Sequence, residues 1–284
     1  MVSLRILDVD DISQALEFSG AEKWNQTAAD WNFIITTPEN VCLAAVDNEK
    51  IVGTATATVY NDEVAWIGMV LVNKDYRGKG ISKLLLTGLF EKLKHCCGIK
   101  LDATPAGQPV YEKFGFKTEY KITRLTNASV SLNNLSYHYS CNIERLCNED
   151  ISNVISFDEN VFGAKREKLI RFLCRNNPEN SWVLKQNGKI TGFVLGRKGT
   201  RFYQVGPVAA MSGLGAKELL LKSFENIEEK AVVIDIPYEN KDLLVWLLFL
   251  GFEIQRFFFR MYQYENICLG IPQNQVSICG PEFG

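Results

Sequence analysis

Met69-Val70-Leu71-Val72-Asn73-Lys74-Asp75-Tyr76-Arg77-Gly78-Lys79-Gly80-Ile81-Ser82 is the stretch that decides how this chain folds. It leaves a segment that is nearly apolar from Val64 onward, which predicts a buried strand over Glu63 to Val72. It then enters a run with Ile81, Leu84, Leu85, Leu89 and Leu93 at helical spacing and Lys83, Thr87, Glu91 and Lys94 on the other side. Between them lies a polar loop with two glycines. A helix N-terminus offers unpaired backbone N–H groups and the positive end of the helix dipole. Glycines let that backbone approach closely, and an arginine adds charge-assisted hydrogen bonds. Arg77-Gly78-Lys79-Gly80-Ile81-Ser82 therefore has the parts of an anion cradle. It is not a Walker A loop, because the Gly-Lys-Ser/Thr ending is missing, nor a Rossmann fingerprint, because no glycine fills the third position. By itself the loop also fits a tight strand-to-helix turn with solvated Arg and Lys.

Upstream, Leu4 to Val9 reads as a strand, Asp10 as the cap of a helix reaching about Phe18, and Thr27 as the cap of a second helix carrying Trp31, Phe33 and Ile34. Val41 to Val46 and Ile51 to Tyr60 are β-branched runs joined by Asp47-Asn48-Glu49-Lys50, a hairpin signal. Downstream, Ile99 to Ala103 is a short strand, Pro109 opens a short helix, Gly115 ends it and Phe116 begins another strand. The order is β-α-α-β-β-β-α-β-α-β. Asn127 to Ser136, rich in Asn and Ser, reads as a linker.

After the linker the pattern restarts. Pro38-Glu39-Asn40 recurs as Pro178-Glu179-Asn180, Asn48-Glu49-Lys50-Ile51-Val52-Gly53 as Asn187-Gly188-Lys189-Ile190-Thr191-Gly192, Leu101-Asp102 as Ile234-Asp235, and Phe114-Gly115-Phe116 as Leu250-Gly251-Phe252. The offsets are 140, 139, 133 and 136, in preserved order, which points to two copies of one fold. The offset shrinks across the interval that holds the glycine loop, so the second half has lost residues there.

Composition is that of an ordinary globular chain long enough for two domains: 284 residues, 46% apolar, 23% charged, with a formal net charge of −2. No broad basic footprint suggests nucleic acid. Arg5, Asp8 and Asp10 interrupt any signal-peptide core, and the longest apolar run, Leu243 to Phe252, is about half the length that crosses a bilayer. A soluble, cytoplasmic protein without membrane or nucleic-acid partners is the expectation. The eight cysteines form no Cys-x-x-Cys pair and only His95 and His138 accompany them, so free thiols and no metal site are expected.

With these residues in view, Met69 to Ser82 resembles motif A of the GCN5-related N-acetyltransferases, placing Arg77, Gly80 and Ser82 on that motif's three named positions. Ser82 departs from the usual Gly or Ala but is small and keeps its N–H. Val110-Tyr111-Glu112-Lys113-Phe114-Gly115-Phe116 resembles the family's motif B. The resemblance covers about residues 1 to 126. The whole chain looks like the bacterial subgroup with a second, degenerate acetyltransferase-like domain, on Trp24 to Thr27, Leu101 to Gly107 and Asp158 to Gly163. It implies an α/β (α+β) fold of two tandem domains, each a mixed, mostly antiparallel sheet flanked by helices. The catalytic domain would span 1–126, a linker 127–137, the degenerate domain 138–263 and a C-terminal tail 264–284. The tail, with Pro272, Pro281 and little periodicity, is expected to wrap the surface or to be mobile.

The resemblance also implies an activity: transfer of an acetyl group from acetyl-CoA, as co-substrate, to an amine of a small molecule or peptide by direct attack in a ternary complex. Met69, Val70, Leu71 and Val72 would pair with the pantetheine arm, and Arg77, Gly78, Lys79, Gly80, Ile81 and Ser82 would hold the pyrophosphate. Tyr111 would protonate the leaving thiolate, the other reading being an ordinary packed tyrosine. Trp24, Asn25 and Gln26 would face the acceptor, or else form a helix-entry loop. No general base is assigned: Val64 to Val72 has no carboxylate, and Glu63, Asp30, Asp102, Asp158 and Asp235 fit caps, turns or salt bridges at least as well. In the second half, Ala210-Met211-Ser212-Gly213-Leu214-Gly215 lacks the Arg or Gln and the glycine spacing, so one acetyl-CoA site per chain is expected. Leu243 to Phe249 is either a helix buried in its own domain or one that meets the first domain or another subunit, and a homodimer is compatible with the sequence. An acyl-CoA-binding sensor without transfer activity is the rival reading.

Overall fold

The computed structural model describes residues 2–132 and 137–284; residues 133–136 of the expected linker lie outside the described residues. The first half runs β1 (Ser3–Ile6), α1 (Ile12–Ala21), α2 (Ala28–Thr36), β2 (Val41–Asp47), β3 (Lys50–Tyr60), β4 (Val64–Val72), α3 (Ile81–Lys92), β5 (Gly98–Ala103), α4 (Gln108–Glu112) and β6 (Lys117–Asn127). The second half repeats the order with β7 (Asn142–Arg145), α5 (Ile151–Phe162), α6 (Glu167–Asn176), β8 (Trp182–Gln186), β9 (Lys189–Lys198), β10 (Tyr203–Ala210), α7 (Gly213–Glu225), β11 (Val232–Pro237), α8 (Lys241–Phe249) and β12 (Glu253–Tyr264). A last strand, β13 (Gln275–Ser277), follows.

The repeated sequence signals have repeated structural causes. Both hairpins turn on two residues with positive φ, Asn48 and Glu49 in one half, Asn187 and Gly188 in the other. Gly115 and Gly251 take φ of +86° and +81° where a short helix gives way to a strand. Thr27 caps α2 as expected, in a capping box with Asp30. The first cap is Asp8 rather than Asp10: its carboxylate accepts from the Asp10 N–H and opens a short 3-10 turn ahead of α1.

The strands form one continuous mixed sheet, mostly antiparallel, in the order β1-β2-β3-β4-β5-β12-β6-β11-β10-β9-β8-β7, with β13 beside β10. The two halves have exchanged their final strands. β12 of the second half pairs with β5 of the first, β6 of the first pairs with β11 of the second, and β6 and β12 pair antiparallel at the centre. Side chains follow the exchange. Leu125 of β6 is buried in the second half's core beside α7 and α8, whereas Met261 of β12 is buried in the first half's core beneath α3. On the other sheet face one core joins both halves, with Trp31, Ile34 and Trp66 packed among Val154, Phe162 and Phe193. Phe33 stacks on Phe172 across the halves at 4.5 Å.

The C-terminal tail neither wraps the surface nor hangs free. Val276, Ile278, Cys279 and Phe283 are buried. The Tyr60 hydroxyl donates to Phe283 O at 2.8 Å, Trp66 Nε1 to Pro281 O at 3.1 Å, and Arg166 Nη1 to Gly284 O at 2.7 Å. The tail is a wedge between the halves, and its polar backbone is satisfied by first-half and second-half side chains. Helix α8 buries Leu243 and Leu247 in its own half and leaves Val245 and Phe249 66% and 75% exposed. Among the described residues no helix is long and apolar enough to cross a membrane.

Candidate active site

β4 and β5 run parallel and pair only from Val64–Gly98 to Ile67–Leu101, after which they diverge. On its other side β4 stays on β3, but Met69 and Val70 together face the single Ala55, since Gly68 pairs with Thr56 and Leu71 with Thr54. That is a β-bulge, which bends the strand and releases backbone polar groups from the ladder. Met69 takes a φ of +50°, an unfavourable region for a side-chain-bearing residue. Thr54 Oγ1 holds it by donating to Met69 O at 2.9 Å, and Thr56 Oγ1 donates to Gly68 O at 3.2 Å.

A cavity of about 160 Å³ opens in the split. Gly68, Met69 and Val70 form one wall, Leu101 to Thr104 and Tyr111 another, and Trp24 and Gln26 a third. Arg256, Phe258, Pro281 and Glu282 complete it from the exchanged strand and the tail. Leu71 and Val72 line the next compartment along β4, a groove of about 730 Å³ between α1 and the β2–β3 hairpin. Tyr111 sits on α4, its ring edge-on to Phe116 at 5.9 Å and against Gly107, where a Cβ would come within 3.3 Å of the ring. Burial pushes its phenol up to about 12, so the hydroxyl keeps its proton at neutral pH. Among the described residues that hydroxyl has no hydrogen-bond partner.

The loop after β4 enters α3 through Gly80, which caps the helix with φ of +80° and no side-chain hydrogen bond. The first helical bond is Leu84 N–H to Gly80 O, so the amides of Ile81, Ser82 and Lys83 precede the hydrogen-bonded ladder. Gly78 has a φ of +75°, and nothing lies within 4 Å of where a Cβ would stand on either glycine. The loop thus pairs an uncapped N-terminus with open space above it. Arg77 is exposed and pairs with Glu22, just past the end of α1, at 2.5 Å, while Lys79 lies over the Tyr76 ring at 4.8 Å. These residues fit a pyrophosphate.

The structure divides the Trp24-Asn25-Gln26 segment. Trp24 and Gln26 reach the cavity. Gln26 is 7% exposed, and its Oε1 has no partner among the described residues. Asn25 is turned to the second half instead: its Oδ1 accepts from Arg201 N and Phe202 N at 3.0 and 2.9 Å, and its Nδ2 donates to Phe202 O at 3.1 Å. Its amide clamps the turn between β9 and β10 and does not line the cavity. The four aspartates near family-like motifs are all in buried ion pairs: Asp30 with Arg197 at 2.6 Å, Asp102 with Arg260 at 2.9 Å, Asp158 with Arg166 at 2.7 Å and Asp235 with Arg124 at 2.7 Å. Arg256 and Glu282 were not legible as site residues. Both come from parts of the chain more than 140 positions from Tyr111, in a strand and a tail with no motif of their own.

The equivalent split in the second half is closed by the chain itself. β10 and β11 pair in parallel only from Tyr203–Val232 to Val205–Ile234. Beyond that point β13 lies antiparallel on β10, Ile278 N donates to Asp235 O at 3.0 Å, and Ser277 Oγ donates to Val205 O at 3.0 Å. The N-terminus of α7 is also spoken for, because Ser212 Oγ accepts from Gly215 N at 3.1 Å.

Residues 8–116 match the Acetyltransferase (GNAT) family model and residues 154–274 match an Acetyltransferase (GNAT) domain model. The chain is 26% identical over 250 residues to the holothin acyltransferase of Pseudoalteromonas sp. (strain SANK 73390), covering 87% of this chain and 83% of that one. It is 25% identical over 186 residues to an uncharacterized N-acetyltransferase, YitH, of Bacillus subtilis (strain 168), covering 66% of this chain and 65% of the other. Its fold is similar to the crystal structure of a putative acetyltransferase from Pyrococcus horikoshii, with a TM-score of 0.83 at 24% identity over 100% of this chain and 96% of that one. It is similar too to a tandem GNAT protein from the clavulanic acid biosynthesis pathway, with a TM-score of 0.63 at 12% identity over 93% and 98% of the two chains. Family models on both halves, acyltransferase relatives across most of the length and a shared tandem fold lead to one conclusion: the chain belongs to the GCN5-related N-acetyltransferase family, as two tandem GNAT domains, and is an N-acetyltransferase of a family that uses acyl-CoA.

Proposed function

We propose that the chain moves an acetyl group from acetyl-CoA to an amine of a small molecule, by direct attack in a ternary complex. In this reading 1–126 carries the catalytic machinery, 127–137 is a linker and 138–263, with the tail 264–284, shapes the acceptor side. The observation that carries it is the first-half split itself. The β4–β5 pairing stops at Ile67–Leu101, the bulge at Met69–Val70 opens onto a cavity facing Tyr111, and β13 closes the corresponding split in the second half.

Acetyl-CoA supplies an activated thioester carbonyl and a thiol leaving group. The amides at the start of α3, with Arg77, Gly78, Lys79, Gly80, Ile81 and Ser82, hold the pyrophosphate, and Arg77 exchanges Glu22 for phosphate oxygens. The backbone of Met69 to Val72, outside the β5 ladder, pairs with the pantetheine arm. A backbone N–H on the bulge donates to the carbonyl oxygen as negative charge builds there. Tyr111 gives its phenolic proton to the sulfur as the C–S bond breaks; the attacking nitrogen releases one proton to solvent in becoming an amide, and solvent returns one to the Tyr111 phenolate, so thiol and amide form with no net proton. Trp24 and Gln26 flank the acceptor.

Thiol release from a series of acyl-CoA thioesters, measured with and without a library of primary amines, tests this. Amine-stimulated release that is fastest with acetyl-CoA is the expected result. Preference for a longer acyl chain, or release that no amine stimulates, overturns the acetyl-transfer reading.

A further inference from the structure

We infer that the acceptor carries an anionic group as well as its amine, and that the exchanged strand and the tail recognise the two ends, Arg256 the anion and Glu282 with Gln26 the amine. The inference rests on the active-site reading above and specifies its substrate class.

Four charged side chains line the cavity: Asp102, Arg124, Arg256 and Glu282. Two are fully matched. Asp102 takes both hydrogen bonds of the Arg260 fork, each 2.9 Å, and Arg124 gives its fork to Asp235 at 2.7 and 2.7 Å. The other two are not. Arg256 is half-buried and has no ion pair or hydrogen bond among the described residues. The strand register sets it directly opposite Arg124, next to a bulge at Gln255, so two like charges face each other across the ladder. Such an arrangement is unfavourable, and burying a guanidinium without a counter-ion is more so. Burial, and then the charge of Arg124, lowers the Arg256 pKa. Asp235, whose charge acts on Arg256 in the other direction, is already committed to Arg124 and Gln204.

Glu282 has the opposite excess. Its side chain is 3% exposed and its Oε1 accepts from Arg197 Nη2, but Arg197 also serves Asp30, leaving one cation between two carboxylates. No hydrogen bond among the described residues uses Glu282 Oε2. The tail presses this residue against β4: a Cβ on Gly68 would come within 3.0 Å of Glu282 Cα, one residue from the Met69–Val70 bulge. Gln26, whose buried Oε1 has no partner among the described residues, lines the same cavity. One uncompensated cation and one surplus carboxylate, with a free amide oxygen, are complementary to a small molecule bearing an anion and an amine. Arginine's planar fork suits a carboxylate or a phosphate, so either anion meets the requirement.

Matched pairs of acceptors test this. One arm sets the twenty protein amino acids against their decarboxylated amines. The other sets aminohexose 6-phosphates against aminohexoses, which separates carboxylate from phosphate. Amine-dependent thiol release and a thermal-shift titration of the unloaded protein are read for each. The expected result is at least one pair whose acid-bearing member has a kcat/KM tenfold or more above its neutral partner. Arg256→Gln then cuts that acid-bearing rate tenfold or more, Arg256→Lys restores part of it, and acetyl-CoA affinity by calorimetry stays within twofold. Neutral members that win in every pair, or a preference that survives Arg256→Gln, overturn the inference. So does an Arg256→Gln loss that falls on acetyl-CoA affinity, which would give this arginine to the co-substrate. If no amine supports thiol release, the function proposed above fails, and the thermal shifts decide the inference: no acid-bearing compound stabilising wild type more than Arg256→Gln overturns it.

Discussion

Arg260 stands directly across the ladder from Asp102, and its guanidinium closes two 2.9 Å hydrogen bonds on that carboxylate. The pair joins the second half's last strand to the first half's β5. Arg124 and Asp235 repeat it in the opposite sense, across β6 and β11 at 2.7 Å. The two latches occupy equivalent places in the duplicated halves. Each final strand therefore carries an arginine whose carboxylate lies in the other half. A misaligned strand would leave two charges buried and unmatched, so the latches fix register as well as partner.

Removing one side of a latch should be costly. Asp235→Asn leaves Arg124 buried beside Arg256 without its carboxylate, and a loss of about 3–5 kcal/mol in unfolding free energy is expected. Urea or guanidinium melts with unchanged slope would register it as a lower midpoint. A change within about 0.5 kcal/mol, the usual range for surface substitutions, would show the latch to be unimportant for stability.

A fragment of residues 1–127 should not fold as a monomer. Without β12 it exposes the β5 edge and strips Met261 from the first-half core, while β6 loses both its neighbours. Unpaired strand edges of this kind associate. Sedimentation and far-UV circular dichroism of the fragment should show an unfolded or self-associated species, and mixing with residues 128–284 should restore native signal. A stable, monomeric fragment would contradict the need for exchange.

Tyr111→Phe should lower kcat by about 10²-fold and leave acetyl-CoA affinity nearly unchanged. The pH dependence gives a second check. The phenol, raised to about 12 by burial, stays protonated and able to donate below that pH. The acceptor amine must instead lose a proton, at roughly pH 10 if its pKa is like that of lysine. Wild-type kcat/KM should therefore rise with pH towards that region and not fall again until the Tyr111 range. The variant should show the same rise to a lower plateau. A new alkaline limb or an unchanged plateau would remove Tyr111 from proton transfer.

Calorimetric titration with acetyl-CoA should saturate at one site per chain, because β13 fills the second-half split and Ser212 caps α7. Arg77→Ala should weaken that single site about tenfold or more, the loss of charge-assisted hydrogen bonds worth roughly 1.5–3 kcal/mol. Two equivalent sites, or an affinity indifferent to Arg77, would speak against the assignment of the loop.

The sequence by itself determined the elements, their order and their duplication, and the loop that opens α3. Those are local matters. Apolar spacing makes α3, the Thr27 side chain caps α2, and positive φ demands Gly78, Gly80, Gly115 and Gly251. Tyr111 could be placed near the split because motif B is one short contiguous stretch, with Tyr111 on α4 and Phe116 just before β6. Tertiary structure alone decided which strand pairs with which. Duplication gave β6 and β12 two edges of similar pattern, those of β5 and β11, and a strand's alternation does not say which edge it will join. It also decided the tail. Residues 264–284 show little periodicity, and from Gln275 onward nearly every side chain is buried on all sides, between halves rather than on one face, so no face repeats. The loop Arg77 to Ser82 was therefore readable from its own residues. The part of the cavity wall made by Arg256 and Glu282 exists only once the halves exchange strands and the tail is threaded between them.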